Sequence, residues 1–246
     1  MTPETWFWVG AVGMALGTLF PIRDAIRNPS HRRFDAVLAG VTGIAAVAYA
    51  LMALGVGSLV VDGVTVQLAR YADWLATTPL LVLYLAMLSR PSRRAYVALV
   101  AVDVVVIAAG VGAALVPAPE KWAFYAVGCV AYAGLLYGLL YTLPAALGGD
   151  ADPRVDATFT TLRNLTVVLW TLYPVVWVLA PTGVGVLQPE MEAIVVVYLD
   201  FISKVGFVAF AVLGADAIDR VAAPASERSD APASSGTVEA PAVDDD

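Results

Sequence analysis

Asp200 and Lys204 stand four residues apart inside the apolar run 194–213. At that spacing an anion and a cation share one face of a helix, and charges at hydrocarbon depth are costly enough to mark a functional site. A desolvated lysine amine is the usual nucleophile for an aldehyde, with which it forms an imine. Asp200 then reads as the counterion of that imine. A structural ion pair pinning two helices together is the other reading, and the segment alone leaves both open. Three more ionisable residues in apolar runs are Arg70, Asp73 and Asp103. Arg70 and Asp73 are three apart, so the arginine is placed to neutralise the carboxylate. Asp73, Asp200, Arg70 and Lys204 sum to zero, and an imine that keeps its proton leaves that balance intact. Trp170, Tyr173 and Trp177 recur at helical spacing, and Trp74 adjoins Asp73. Rings so placed make ordinary core packing or the walls of a slot for a long conjugated ligand.

Positioning these groups requires membrane helices. With 60% hydrophobic and 14% charged residues, the chain falls outside the soluble globular class. Seven runs reach the roughly 20 residues that a bilayer core requires: 6–22, 34–57, 66–88, 95–116, 122–143, 159–180 and 193–213. Short connections make neighbouring runs antiparallel. The expected fold is an all-α membrane protein, a seven-transmembrane-helix bundle. Between the second and third runs, Asp62-Gly63 is flanked by alternating β-branched residues, which predicts a short extracellular β-hairpin. Glu4 precedes the first run where a cleavable signal would carry basic residues.

Arginines 23, 27, 32 and 33, then 90, 93 and 94, then 154 and 163, and finally 220 and 228 cluster on one side of the expected membrane. By the positive-inside rule the amino terminus is extracellular and the carboxyl terminus cytoplasmic. The acidic stretch 222–246 is rich in Ala, Pro and Ser and is expected to be a disordered cytoplasmic tail, which leaves 1–221 as the membrane domain. The net charge of −7 gives no reason to expect a nucleic-acid partner. Cys129 is the single cysteine and reads as core packing. His31, a lone histidine in a basic loop, offers no metal site. No catalytic triad, nucleotide loop or metal-ligand cluster points to an enzyme.

Three blocks carry a resemblance. Arg70-Tyr-Ala-Asp73-Trp74-Leu-Ala-Thr77-Thr78-Pro79, the segment from Arg163 through Trp170, Tyr173 and Pro174 to Trp177, and Asp200-Phe-Ile-Ser203-Lys204-Val-Gly-Phe207 lie in this order on the third, sixth and seventh runs. They resemble the archaeal microbial (type 1) rhodopsins. The resemblance implies all-trans retinal bound to Lys204 as a covalent protonated Schiff base. It implies that Asp73 is the primary counterion and proton acceptor, Asp200 the second counterion and Arg70 the extracellular switch, with Tyr49 hydrogen-bonding near Asp200. Trp74 and Trp170 would sandwich the polyene, and Thr77, Thr78, Val106, Tyr173 and Trp177 would line the pocket.

Within that family, Asp73 argues against a chloride pump, whose branch has a neutral residue there. The cytoplasmic proton donor of the family's pumps stands eleven residues after the counterion, about 16 Å along a helix. This chain has Tyr84 there. A phenol, with a reference pKa of about 10, is a poor donor beside a carboxylic acid, so a long-lived deprotonated state suited to signalling is expected. Of the glutamate pair on the family's exit side, Glu192 is present and Thr182 replaces the other. Ser203 adjoins Lys204 and is placed to bond to Tyr173, or back to its own helix. Tyr198 points away from Asp200 toward lipid, a neighbouring helix or a partner. Asp103 is the pump-like position. This mixture resembles the sensory rhodopsin II and middle rhodopsin group. It implies a phototaxis photoreceptor in the bilayer, signalling through a two-helix membrane transducer of chemotaxis-receptor type, and a homo-oligomer is compatible with it. A slow outward proton pump is the alternative, and a membrane protein without photochemistry the third class.

Overall fold

The computed structural model describes residues 2–222. Among them, seven helices are long and apolar enough to cross a membrane. They are α1 (Pro3–Arg27), α2 (Arg32–Ala53), α3 (Leu68–Ser89), α4 (Arg93–Leu115), α5 (Lys121–Leu147), α6 (Pro153–Leu179) and α7 (Pro189–Leu213). Each is built on one of the apolar runs, most of them with a polar turn added at one end or both. A short helix, α8 (Ala215–Ala222), follows. The acidic tail expected from residue 222 lies outside the described residues beyond that point.

Between α2 and α3 the strands β1 (Ser58–Val61) and β2 (Val64–Gln67) pair antiparallel, with Val61 opposite Val64. Asp62 and Gly63 form the turn with φ of 48° and 78°. Two consecutive positive φ values are what a type I′ hairpin demands, and Asp-Gly supplies them at little strain. The strand takes Val66, which the apolar pattern had assigned to the third helix, so α3 begins at Leu68. Likewise α2 ends at Ala53, and residues 54–57 turn into the hairpin.

Consecutive helices from α1 to α5 pack side by side, and α7 packs on both α6 and α1, so the bundle closes on itself. Helix α3 also touches α5 and α6, which places it centrally. About half of the apolar stretch of α3 and of α7 is buried, against 17% for α5 and α6. The site residues therefore ride on the two best-shielded helices. Outward-facing Val12, Leu16, Leu19, Val130 and Leu213 are exposed, as side chains that meet lipid must be.

Two glycines set close approaches. A Cβ at Gly138 of α5 would stand 2.0 Å from Leu99 Cδ2 of α4, and the helix widens to a π-turn over Gly138–Thr142 at this point. At Gly10 of α1 a Cβ would fall 2.7 Å from the Tyr49 ring. That missing carbon gives Tyr49 of α2 the space to lie fully buried and turn its hydroxyl toward α7.

Candidate functional site

Lys204 lies in a π-helical stretch of α7, Phe201–Gly206. Such widened turns are rare and concentrate at functional sites. The Lys204 side chain is 2% exposed, and its Nζ donates to Asp73 Oδ2 of α3, whose side chain is wholly buried. Asp200 Oδ2, one turn away on α7, is 3.7 Å from the same Nζ. Both carboxylates therefore lie against the Lys204 amine.

The two carboxylates are held differently. Asp200 accepts from Tyr49 Oη at 2.7 Å, from Tyr173 Oη at 2.5 Å and from Trp74 Nε1 at 3.2 Å. Three donors from α2, α6 and α3 hold its two oxygens in place. Asp73 has Lys204 on Oδ2, while Oδ1 meets no protein donor among the described residues. Of the pair, Asp73 is the one with a free oxygen and an amine already in hydrogen-bond contact.

Arg70 departs from expectation. Its Nη1 pairs with Glu192 Oε1 of α7 at 2.6 Å, and no Arg70–Asp73 ion pair forms among the described residues. Spacing along α3 permitted the Asp73 pair, but a carboxylate 122 residues away is in better reach of the guanidinium. Glu192 therefore joins the charge cluster, and the four-group balance becomes three carboxylates against two cations.

A cavity extends from Lys204, Asp200 and Ser203 across the bundle. Trp74, Thr78, Val106, Trp170, Tyr173 and Trp177 stand in its wall, and Cys129 does so too. Trp74 meets Tyr173 edge-on at 5.1 Å, and Trp177 stacks on Tyr125 at 5.1 Å. Thr77 is the exception: it is fully buried, outside that wall, and its hydroxyl donates to the Asp73 carbonyl at 2.8 Å. It shapes α3 beneath the carboxylate. Thr78 Oγ1 lies 2.7 Å from the Trp74 carbonyl and 2.7 Å from Asp103 Oδ2, which joins α3 to α4.

Ser203 Oγ lies 3.3 Å from Tyr173 Oη and 3.3 Å from the Asp200 carbonyl, so both contacts considered for it from the sequence are present. Tyr198 is 56% exposed on the outer face of α7, with its ring 6.4 Å from that of Trp6. At the end of α5 nearest the hairpin, Lys121 Nζ donates to the Thr182 carbonyl at 2.9 Å.

Two residues of the opposite end were misread or missed. His31 is neither alone nor in an open loop: it is 3% exposed, with Asp24 and Asp219 on its two ring nitrogens. Asp35, at the edge of an apolar run, does not stand out in the sequence, yet it is 1% exposed. A carboxylate directly after Phe34, inside the second run, was the available signal.

Seven membrane-length helices around an amine, two buried carboxylates and an aromatic-walled cavity define a membrane protein shaped to hold an elongated apolar carbonyl compound. The family described as bacteriorhodopsin-like protein matches residues 1–218. Sensory rhodopsin-2 of Halobacterium salinarum is 62% identical over 223 residues, covering 91% of this chain and 93% of that protein. Sensory rhodopsin-2 of Natronomonas pharaonis is 40% identical over 244 residues, 98% of each chain. The crystal structure of thermophilic rhodopsin from Rubrobacter xylanophilus superimposes with a TM-score of 0.86 at 36% identity, covering 90% of this chain and 99% of that one. This chain is a member of the bacteriorhodopsin-like protein family.

Rhodopsins of this family bind retinal. The residues present here fit that group: a slot walled by indole and phenol rings ends at a buried amine, and Trp177 Nε1 is buried without a protein partner among the described residues.

Proposed function

We propose that this chain is a sensory photoreceptor that holds all-trans retinal on Lys204, and that residues 1–221 form its retinal-binding membrane domain. It is not an enzyme, since light and not a substrate drives it. The observation that carries the reading is the buried Lys204 amine set on Asp73 and beside Asp200 at the end of the cavity. Retinal bound there supplies visible absorption and a light-driven all-trans to 13-cis change of shape at Nζ.

The chain's own groups do the rest. Asp73 Oδ2 is the acceptor for the Nζ proton, because it touches that nitrogen and has an oxygen uncommitted to the protein. Asp200 remains a fixed counterion, held by Tyr49, Tyr173 and Trp74. Arg70 with Glu192 guards the route toward the hairpin end. Trp74, Trp170, Trp177, Val106 and Thr78 shape the slot, and Thr77 sets the backbone below Asp73.

The Ser203–Tyr173 contact couples the turn bearing Lys204 to α6. Movement there passes to the outer surface of α6 and α7, where exposed Tyr198 marks the face for a two-helix membrane transducer of chemotaxis-receptor type. The arginine distribution supports an orientation with the hairpin and amino terminus outside and α8 in the cytoplasm.

The sensory reading is separated from a slow outward proton pump by illuminating cells that express the chain with all-trans retinal. Pigmented cells with little sustained pH change support the receptor. Sustained acidification abolished by a protonophore supports the pump.

A further inference from the structure

A second cluster of buried acids lies at the end of the bundle opposite the hairpin. Asp35, on the first turn of α2, is 1% exposed, and neither carboxylate oxygen meets a hydrogen-bond donor among the described residues. A buried polar group without a partner is heavily penalised, so a carboxyl kept here calls for a role. An oxygen of Asp35, an oxygen of Asp24 and a ring nitrogen of His31 lie within 4.8 Å of one another. His31 Nδ1 is 2.7 Å from Asp24 Oδ2, and its Nε2 is 2.8 Å from Asp219 Oδ1. The Asp219 side chain is 61% exposed. A chain of exchangeable groups thus runs from solvent through Asp219, His31 and Asp24 to Asp35. An imidazole that gains a proton at one nitrogen and gives one up at the other is suited to relay it.

Inward from Asp35 stands Tyr84. Its hydroxyl is buried without a protein partner, like the Asp35 carboxyl. Its ring meets Phe34, the neighbour of Asp35, edge-on at 5.6 Å, and Phe207 of α7, three residues after Lys204, at 5.5 Å. The groups facing this region are Asp24 from α1, His31 from the turn before α2, Tyr84 from α3 and Asp219 from α8. Arg32 borders the same cleft as Asp35, but its Nε is taken by the Ala25 carbonyl at 3.2 Å.

We propose that Asp35 is the internal proton donor for Lys204 Nζ, with Tyr84 on the inward path and the His31 cluster reloading it from the cytoplasm. This rests on the reading of Lys204 given above. Nζ gives one proton to Asp73. Asp35 gives one to Nζ by way of Tyr84 and then recovers one from solvent through Asp219, His31 and Asp24. Asp73 releases its own proton toward the hairpin end before the next cycle, so each group ends as it began and one proton crosses outward per turnover, a flux that the slow leg through Tyr84 keeps small. Phe207, in ring contact with Tyr84, and Leu81, one turn before it on α3, are buried and apolar, which makes this leg slow.

The test follows the return of visible absorption after a flash in the full chain reconstituted with all-trans retinal. In the wild type, an internal donor makes the return nearly independent of pH. In Asp35→Asn it slows about tenfold or more, falls in proportion to proton concentration, and recovers on adding azide, a small diffusible acid. Asp35→Glu restores wild-type behaviour. His31→Gln leaves the first return intact and slows one triggered immediately afterwards, because Asp35 has not been reloaded.

A second readout needs no retinal. In the retinal-free chain, infrared spectra of the wild type contain a neutral-acid C=O band that Asp35→Asn lacks, and that band shifts in D2O more slowly in His31→Gln. Asp35→Asn with a wild-type dark spectrum and an unchanged, pH-independent return would overturn the proposal, as would absence of the infrared band. A wild-type chain that forms no pigment would overturn the Lys204 reading along with it. Should Asp35→Asn fail to fold, the displacement of the neutral-acid band in Asp35→Glu and the His31→Gln double-flash experiment decide.

Discussion

The Tyr173 hydroxyl stands 2.5 Å from Asp200 Oδ1 and 3.3 Å from Ser203 Oγ, so one side chain of α6 grips α7 on both sides of the turn that leads to Lys204. Any displacement at Lys204 must strain or break one of these contacts. They are the points at which a local change becomes a change in helix packing.

Removing the signalling contact should therefore spare the pigment. Ser203→Ala takes away the oxygen facing Tyr173 but leaves Tyr173 on Asp200. The expected outcome is a visible band close to that of the wild type, with a weaker phototactic response in cells carrying the transducer. Absorption spectra and motility tracking of the same cells check it.

Tyr49→Phe should act on stability. The substitution removes the 2.7 Å bond to Asp200 Oδ2 at a site shielded from bulk solvent. A hydrogen bond to a charged group is worth about 1.5–3 kcal/mol, so thermal bleaching of the pigment should shift to lower temperature. Gly10→Ala presses on the same ring and should weaken the pigment in the same direction, because its Cβ would meet Tyr49 at 2.7 Å.

Asp73→Asn and Asp200→Asn should differ in kind. Asp73 touches Nζ, so its amide can no longer take the proton, and the deprotonated state should not accumulate after a flash. Asp200 is held by three donors that an amide satisfies only in part, so Asp200→Asn should lower pigment stability first. Flash spectroscopy and thermal bleaching separate the two.

Gly138→Ala tests the packing of α5 on α4. Its Cβ would fall 2.0 Å from Leu99 Cδ2. Overpacking of this sort costs about 1–3 kcal/mol, and the melting temperature of the retinal-free chain should drop accordingly.

The seven helices were legible because each is a run of apolar residues of bilayer length, and the hairpin because Asp62-Gly63 supplies two positive φ values between β-branched strands. Asp200 and Lys204 were legible as neighbours by their spacing. The meeting of Lys204 with Asp73, 131 residues away, follows from resemblance and not from periodicity. Arg70 shows the limit of local spacing: Asp73 shares its helix face, yet Glu192 takes its charge. His31 looked isolated because one of its partners is 188 residues distant in sequence. The π-turn around Lys204 leaves no mark in the apolar pattern, since widening a helix by one residue changes its hydrogen bonds and not its composition.

The measurement that bears most directly on the central claim is the absorption spectrum of the purified chain after addition of all-trans retinal, compared with Lys204→Ala. The account predicts a stable visible band in the wild type, and in Lys204→Ala only the near-ultraviolet absorption of free retinal. A wild-type chain without that band, or a Lys204→Ala chain that retains it, would contradict the assignment of Lys204 as the residue that holds the chromophore.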